Sequence, residues 1–293
     1  MKKIELVLGF QCNCRCLFCV VDAKTAKQSM GTSAAIRHLA QSRQEGARAV
    51  DFGGGEPTLR EDLPELVRAA KKMGYRAIGV KTNGLRLCYP DYVEILMKAG
   101  VDRFAVPIWG ESAEAQDALA QTPGAFEMME MGVKHVLDFG GCVEADVLLT
   151  TRTLASLTRM VGHFADIGVR KFQIWLYSLF GSNQALPELL PSMTAAGKMI
   201  VDTASALKHR KLRISTTQIP ACFLRPCEEL YSNIADLKLQ IITPGGSFPA
   251  EASPFEAGIK PPRCRGCVQY DSCGGVRPEY LEMFSDREIR PLV

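Results

Sequence analysis

The sequence predicts an α/β fold of about six strand–helix units with a small Cys-rich domain at its C-terminal end. Two observations carry this. Over roughly the first two-thirds of the chain, short β-like runs alternate with amphipathic helical stretches and short connections. Such an order gives a parallel sheet with right-handed crossovers, doubly wound or curled into a full or partial barrel. From about Pro220 the texture changes to Pro, Gly and Cys with few long periodic segments. The expected division is therefore 1–218 and 219–293. In both arrangements of the larger domain, reactive groups belong at the C-terminal ends of the strands.

The elements follow in order. A strand at 4–8 precedes a helix at 33–45 and a strand at 49–52. From Leu63 the residues Leu66, Val67, Ala70 and Met73 recur at helical spacing, with Asp62 placed to cap, Pro64 in the first turn and Gly74 as terminator. A strand at 76–81, a helix at 91–99 ended by Gly100, and a strand at 103–108 continue the alternation. Further on the pattern gives helix 126–138, strand 142–150, helix 154–166 and strand 171–177. A helix near 193–209 and a short strand near 212–215 complete the domain. The tail cannot bury much apolar surface, so a metal site is a sensible staple for it.

Composition narrows the function. The chain has 293 residues, 47% hydrophobic and 23% charged, which is a globular balance rather than a disordered one. A formal net charge of +3 lacks the basic excess of a nucleic-acid binder, so nucleic acid is not the expected partner. No run is apolar enough for a membrane span or a cleaved signal, and a cytoplasmic protein is expected. Eleven cysteines in a reducing compartment point to metal or redox chemistry rather than disulfides.

Cys12, Cys16 and Cys19 form a C-x3-C-x2-C pattern directly after the first strand. Three thiolates on one loop can hold three irons of a [4Fe–4S] cube and leave the fourth open to another molecule. A structural zinc loop is the other reading, with a fourth ligand elsewhere or at Cys14, the extra thiol inside the loop. At the end of the second strand stand Gly54, Gly55 and Glu56. Glycines there admit a close approach to backbone, and a carboxylate accepts from an ammonium group; a Gly-rich turn before a helix is the alternative. Thr82 and Asn83 end the third strand, as cofactor-facing groups or as a simple turn.

These motifs resemble the radical S-adenosylmethionine (SAM) enzymes, with Phe18 as the aromatic residue before the last cysteine of the loop. The resemblance implies a partial (β/α)6 TIM-like barrel, a SAM-binding [4Fe–4S] cluster on Cys12, Cys16 and Cys19, and SAM itself as cofactor. It also implies that Gly54, Gly55 and Glu56 receive the SAM amino group, with Thr82 and Asn83 beside the cofactor. At the fourth strand the chain departs from the family, carrying Pro107 where many members have a hydroxyl residue. Glu144 on the fifth strand is either a ribose or substrate contact or part of a solvated face. Gln173, Trp175 and Tyr177 share one face if strand alternation holds, as lumen or as packing residues. The four histidines fall in predicted helices and receive no role.

In the tail, Cys264, Cys267 and Cys273 are followed by two glycines, with Cys222 and Cys227 upstream. This is similar to the auxiliary-cluster regions called SPASM or, in shorter form, Twitch. Five cysteines suit one auxiliary [4Fe–4S] cluster, held by Cys222, Cys264, Cys267 and Cys273, with Cys227 as substitute or bystander. A four-cysteine zinc knuckle is the alternative. Cys88 and Cys142 are expected to be ordinary buried residues.

The resemblance implies an enzyme, an oxidoreductase or maturase, that cleaves SAM reductively and takes hydrogen from a small-molecule or peptide substrate. Its electron donor is a protein such as flavodoxin or ferredoxin. A start at the first strand lowers the peptide reading, and an ending without two glycines argues against the cyclase of molybdenum-cofactor synthesis. The competing class is a non-catalytic iron–sulfur electron carrier or zinc scaffold on a TIM-like barrel. Glu56 discriminates, because electron carriage needs no ammonium site.

Overall fold

A computed structural model describes residues 2–293, leaving aside the side chains of residues 182 and 183. The chain divides into two compact units, residues 1–107, 112–145 and 237–249 in one, and 108–111, 146–236 and 250–293 in the other.

In the first unit, β1 (Lys3–Val7), β2 (Ala49–Gly53), β3 (Ala77–Lys81) and β4 (Arg103–Ile108) pair in parallel in that order. Between them run α1 (Thr32–Gln44), α2 (Leu63–Lys72) and α3 (Pro90–Ala99). After β4 come α4 (Ala113–Ala120), α5 (Ala125–Asp138) and β5 (Cys142–Leu149), whose residues 146–149 belong to the second unit. Apolar side chains of one strand face pack under the helices. Ile4, Leu6, Leu66, Val67, Val93 and Leu96 are all fully buried there. Each such side chain contributes about 1.5–3 kcal/mol relative to exposure.

The opposite strand face is polar. Lys3 pairs with Asp51 at 2.5 Å, Arg103 bridges Asp51 and Glu144, and Lys81 reaches Glu5 at 2.6 Å. Burial pushes the Asp51 carboxyl up, but the charges of Lys3, Arg103 and Lys81 outweigh it and hold that group below its ordinary range. Gly79 makes the room, since a Cβ there would lie 2.2 Å from Asp51 Oδ1.

Three expectations are corrected here. Asp62 makes no capping bond to α2. Its carboxylate is taken instead by Arg60 at 2.9 and 2.7 Å and by Thr32 Oγ1 at 2.6 Å. Residues 237–249, expected in the C-terminal domain, form β8 (Leu239–Thr243) and β9 (Gly246–Pro249) within the first unit. There β8 lies parallel to β1, and β9 returns antiparallel to it. Cys88 and Cys142 are part-exposed rather than buried.

The second unit holds α6 (Leu157–Ile167), β6 (Lys171–Leu176), α7 (Met193–Ala206) and β7 (Arg213–Thr216), with β6 and β7 parallel. The Cys-rich segments of the tail belong to it, together with α8 (Pro278–Phe284). Arg277 is buried and donates to the carbonyls of Leu176 and Tyr177, which joins that helix to the end of β6. Gln173 accepts from Ser215 and Trp175 donates to Asp146 on the half-exposed strand face. Tyr177 lies past the end of β6 and is fully buried, so it does not continue the face of Gln173 and Trp175.

Candidate SAM and iron–sulfur sites

The loop leaving β1 is closed at its base. Gly9 bridges Ser29, Phe10 N donates to Gln28 O at 3.2 Å, and Met30 N donates to Leu8 O at 2.9 Å. Between these ends the chain presents Cys12 and Cys19 exposed and Cys14 and Cys16 part-exposed. Cys19 N donates to Cys16 O at 3.0 Å, a tight turn that sets the last two motif cysteines side by side. Cys14 N donates to Cys12 Sγ at 3.4 Å, and the Cys14 thiol lies beside those of Cys12 and Cys16. That neighbour and burial push Cys12 up, while Cys14, drawn down by Cys12 but raised by Cys16 and burial, stands at about 11. Iron would displace the protons of these thiols on binding.

The far side of the loop rests on α4, an element absent from the sequence expectations. Leu17 N donates to Leu119 O at 2.8 Å and Arg15 N to Ala120 O at 3.3 Å. Ser112 caps α4 by accepting from Ala115 N. That serine was the available signal, but the Ala-rich helix behind it carries little apolar periodicity.

Gly54 and Gly55 serve the crossing of this loop over the end of β2. A Cβ on Gly54 would lie 2.1 Å from Gly9 O, and one on Gly55 would lie 2.3 Å from Gln11 O. Their segment is tied down by Gly55 N to Gly9 O at 2.9 Å and Glu56 N to Gln11 O at 2.7 Å. Glycine is required here because backbone meets backbone, and Gly54 also has φ +128°.

Glu56 is 3% exposed. Its Oε1 accepts from Thr58 N, Thr58 Oγ1 and Thr82 Oγ1 at 2.9, 2.5 and 2.8 Å, and its Oε2 accepts from Asn83 N at 2.6 Å. Oε1 is saturated, whereas Oε2 keeps acceptor capacity. Burial raises this carboxyl above its ordinary range against the pull of its hydrogen bonds. The Asn83 side chain then reaches the cysteine loop, donating to Asn13 Oδ1 at 2.7 Å and to Cys14 Sγ at 3.4 Å. Glu56, Thr82, Asn83 and the loop are thus one hydrogen-bonded assembly. Glu144 is outside it, spent on Arg103 near the start of β5.

In the second unit, Cys222, Cys264, Cys267 and Cys273 line one small cavity walled by Pro220, Val276 and Ile289. Burial and the nearby Cys273, Cys264 and Cys267 push the Cys222 thiol up to about 12. Cys227 is not in the cavity lining, and its neighbours are Glu229 and Glu228. Both cysteine sets supply the soft thiolate donors that iron–sulfur clusters take. Among the described residues no three His, Cys, Asp or Glu side chains converge on the position of a single ion.

Residues 6–157 match the family model of the radical SAM superfamily. The chain belongs to the radical SAM superfamily. Its cofactors are accordingly a [4Fe–4S] cluster and SAM. Among curated proteins, the chain is 32% identical over 178 residues to one named probable GTP 3′,8-cyclase from Saccharolobus solfataricus, covering 59% of this chain and 56% of that one. It thus spans little more than half the length of the relative it matches. Among solved structures, SuiB of Streptococcus suis bound to S-adenosylmethionine superposes with a TM-score of 0.72 at 16% identity, over 94% of this chain and 72% of that chain. SuiB bound to precursor peptide SuiA gives 0.70 at 17% identity, over 85% and 59%. This likeness shows the fold, the partial β/α barrel of the superfamily. No helix among the described residues is long and apolar enough to cross a membrane.

Proposed function

We propose that this protein is an enzyme that cleaves SAM reductively at a cluster held by Cys12, Cys16 and Cys19 and removes a hydrogen atom from a carbon of its substrate. The observation that carries this reading is Glu56. A buried carboxylate with one free acceptor position, bonded through Asn83 to the cysteine loop, suits an ammonium group beside a cluster. An electron carrier has no use for it.

When bound, the cluster and SAM would supply the one-electron and hydrogen-abstraction chemistry that no side chain can perform. The chain's own residues hold and orient. Glu56 Oε2 would accept from the methionine ammonium, and Thr58 and Thr82 fix that carboxylate by occupying Oε1. Asn83 keeps the loop at a constant distance from Glu56. Cys222, Cys264, Cys267 and Cys273 hold an auxiliary [4Fe–4S] cluster, and Cys227 stands apart. An external reductant such as flavodoxin or ferredoxin delivers the electron.

The substrate is a small molecule or a peptide. GTP is the first to offer, on the strength of the relative's name. Peptide remains the second class because SuiB has been solved with one.

The test is anaerobic incubation of reconstituted protein with dithionite and SAM, read by chromatography for 5′-deoxyadenosine. Formation of that product is expected, with consumption of GTP in the same vials as the sign of nucleotide cyclisation. Glu56→Ala should weaken SAM binding by about 100-fold or more, the scale of breaking a buried ion pair, while the cluster absorption stays. A reduced cluster that leaves SAM intact favours the electron-carrier class.

A further inference from the structure

We infer that Arg60 is a positioning residue for SAM: it sets the separation between the cysteine loop and Glu56, and so the affinity for SAM, without touching either cofactor. This rests on the reading of Glu56 given above.

One guanidinium joins three pieces of chain. Its Nη1 donates to Met30 O at 2.7 Å, Leu8 O at 3.2 Å and Ser29 Oγ at 3.3 Å. Leu8 and Met30 are the residues at which the cysteine-bearing loop leaves β1 and returns, so a single nitrogen holds both ends. The other two nitrogens bind Asp62 in a fork, Nε to Oδ1 at 2.9 Å and Nη2 to Oδ2 at 2.7 Å. Asp62 is anchored in turn by Thr32 Oγ1, just beyond the loop's return. The bonds from Arg60 and then Thr32 hold that carboxyl below its ordinary range.

Arg60 is also rigidly connected to Glu56. Between them lies one turn, Pro57–Leu59, closed by Leu59 N to Glu56 O at 3.2 Å and Arg60 N to Pro57 O at 3.1 Å. Thr58, within that turn, is bonded to the Glu56 carboxylate, and its own carbonyl accepts from Arg86 and Tyr92. A shift of Arg60 relative to Leu8 and Met30 is therefore a shift of Glu56 relative to the loop. Only a planar fork satisfies Asp62 with two nitrogens while turning the third to the carbonyls, so lysine is not equivalent. SAM has to meet the open iron and Glu56 together, and a loosened separation costs affinity before it costs cluster assembly.

The experiment measures, on reconstituted Arg60→Ala, Arg60→Lys and Asp62→Asn proteins, iron content and the SAM concentration that half-converts the electron paramagnetic resonance signal of the reduced cluster. Glu56→Ala is run beside them. Iron content is expected to match the parent, with SAM affinity about tenfold weaker in both Arg60 variants, as for a lost charge-assisted hydrogen bond, and about threefold weaker in Asp62→Asn. The double variant Arg60→Ala/Asp62→Asn should be no weaker than Arg60→Ala alone, because Asp62 acts through Arg60. Parent-like SAM affinity in the Arg60 variants overturns the inference, as does iron lost in parallel with affinity, which marks a role in loop folding alone. If Arg60→Ala does not fold, the lysine and Asp62 variants give the same reading. Unchanged affinity in Glu56→Ala overturns the role of Glu56 instead, whatever the Arg60 variants do.

Discussion

The two cysteine sites are built in opposite ways. The first draws three motif cysteines from a single loop, leaves Cys12 and Cys19 exposed, and places a buried carboxylate behind them. The second gathers Cys222, Cys264, Cys267 and Cys273 around a cavity walled by Pro220, Val276 and Ile289, with no carboxylate in its lining. On the reading proposed above, the first thiolate set leaves room for another molecule and the second supplies all four ligands itself. Number of thiols decides less than what stands beside them: the loop is next to the buried Glu56 carboxylate, and the tail cysteines are next to Pro220, Val276 and Ile289.

The comparison breaks most easily by removing ligands. Cys16→Ala is expected to lose about four irons and all 5′-deoxyadenosine formation while keeping the tail's iron, and Cys222→Ala to lose about four irons from the other site. Iron analysis and chromatography on the same samples separate the two. Because a cluster at Cys222 would staple a region with few packed elements, that variant should also unfold at lower temperature, as expected where metal binding is coupled to folding. Cys227→Ala should change neither iron nor melting temperature, since its thiol is not in the cavity lining.

A smaller effect sharpens the same contrast. Cys14→Ser is expected to leave the iron content as it is, because the proposed cluster takes Cys12, Cys16 and Cys19 and has no place for Cys14. Loss of iron in that variant makes Cys14 a ligand and closes the open corner on which the comparison depends.

Much of this was legible from residue order alone. The helix from Leu63 and the strand at 103–108 declare themselves by periodicity, and the cysteine spacings name their chemistry. The hidden parts depend on distant partners. Asp62 has the type and position of a helix cap, but an arginine two residues earlier offers it two charge-assisted bonds, which outweigh one backbone N–H. The strand Leu239–Thr243 is short and set in a Pro- and Gly-rich stretch, and it is a strand because the free edge of β1 needs a partner. Glu144 could be read either as a site carboxylate or as part of a solvated face, since nothing local shows that Arg103 waits on the next strand. Gly54 and Gly55 were legible as necessary glycines, but the backbone they accommodate is that of the cysteine loop.

The central claim is that one cluster has an iron open to SAM and the other has none. Mössbauer spectra of protein reconstituted with iron-57, recorded with and without SAM, test it most directly. The account predicts that SAM changes the parameters of a single iron, about one in eight of the total, and leaves the tail cluster's signals where they were. Two SAM-responsive irons, or a tail that takes zinc in place of iron, contradict it.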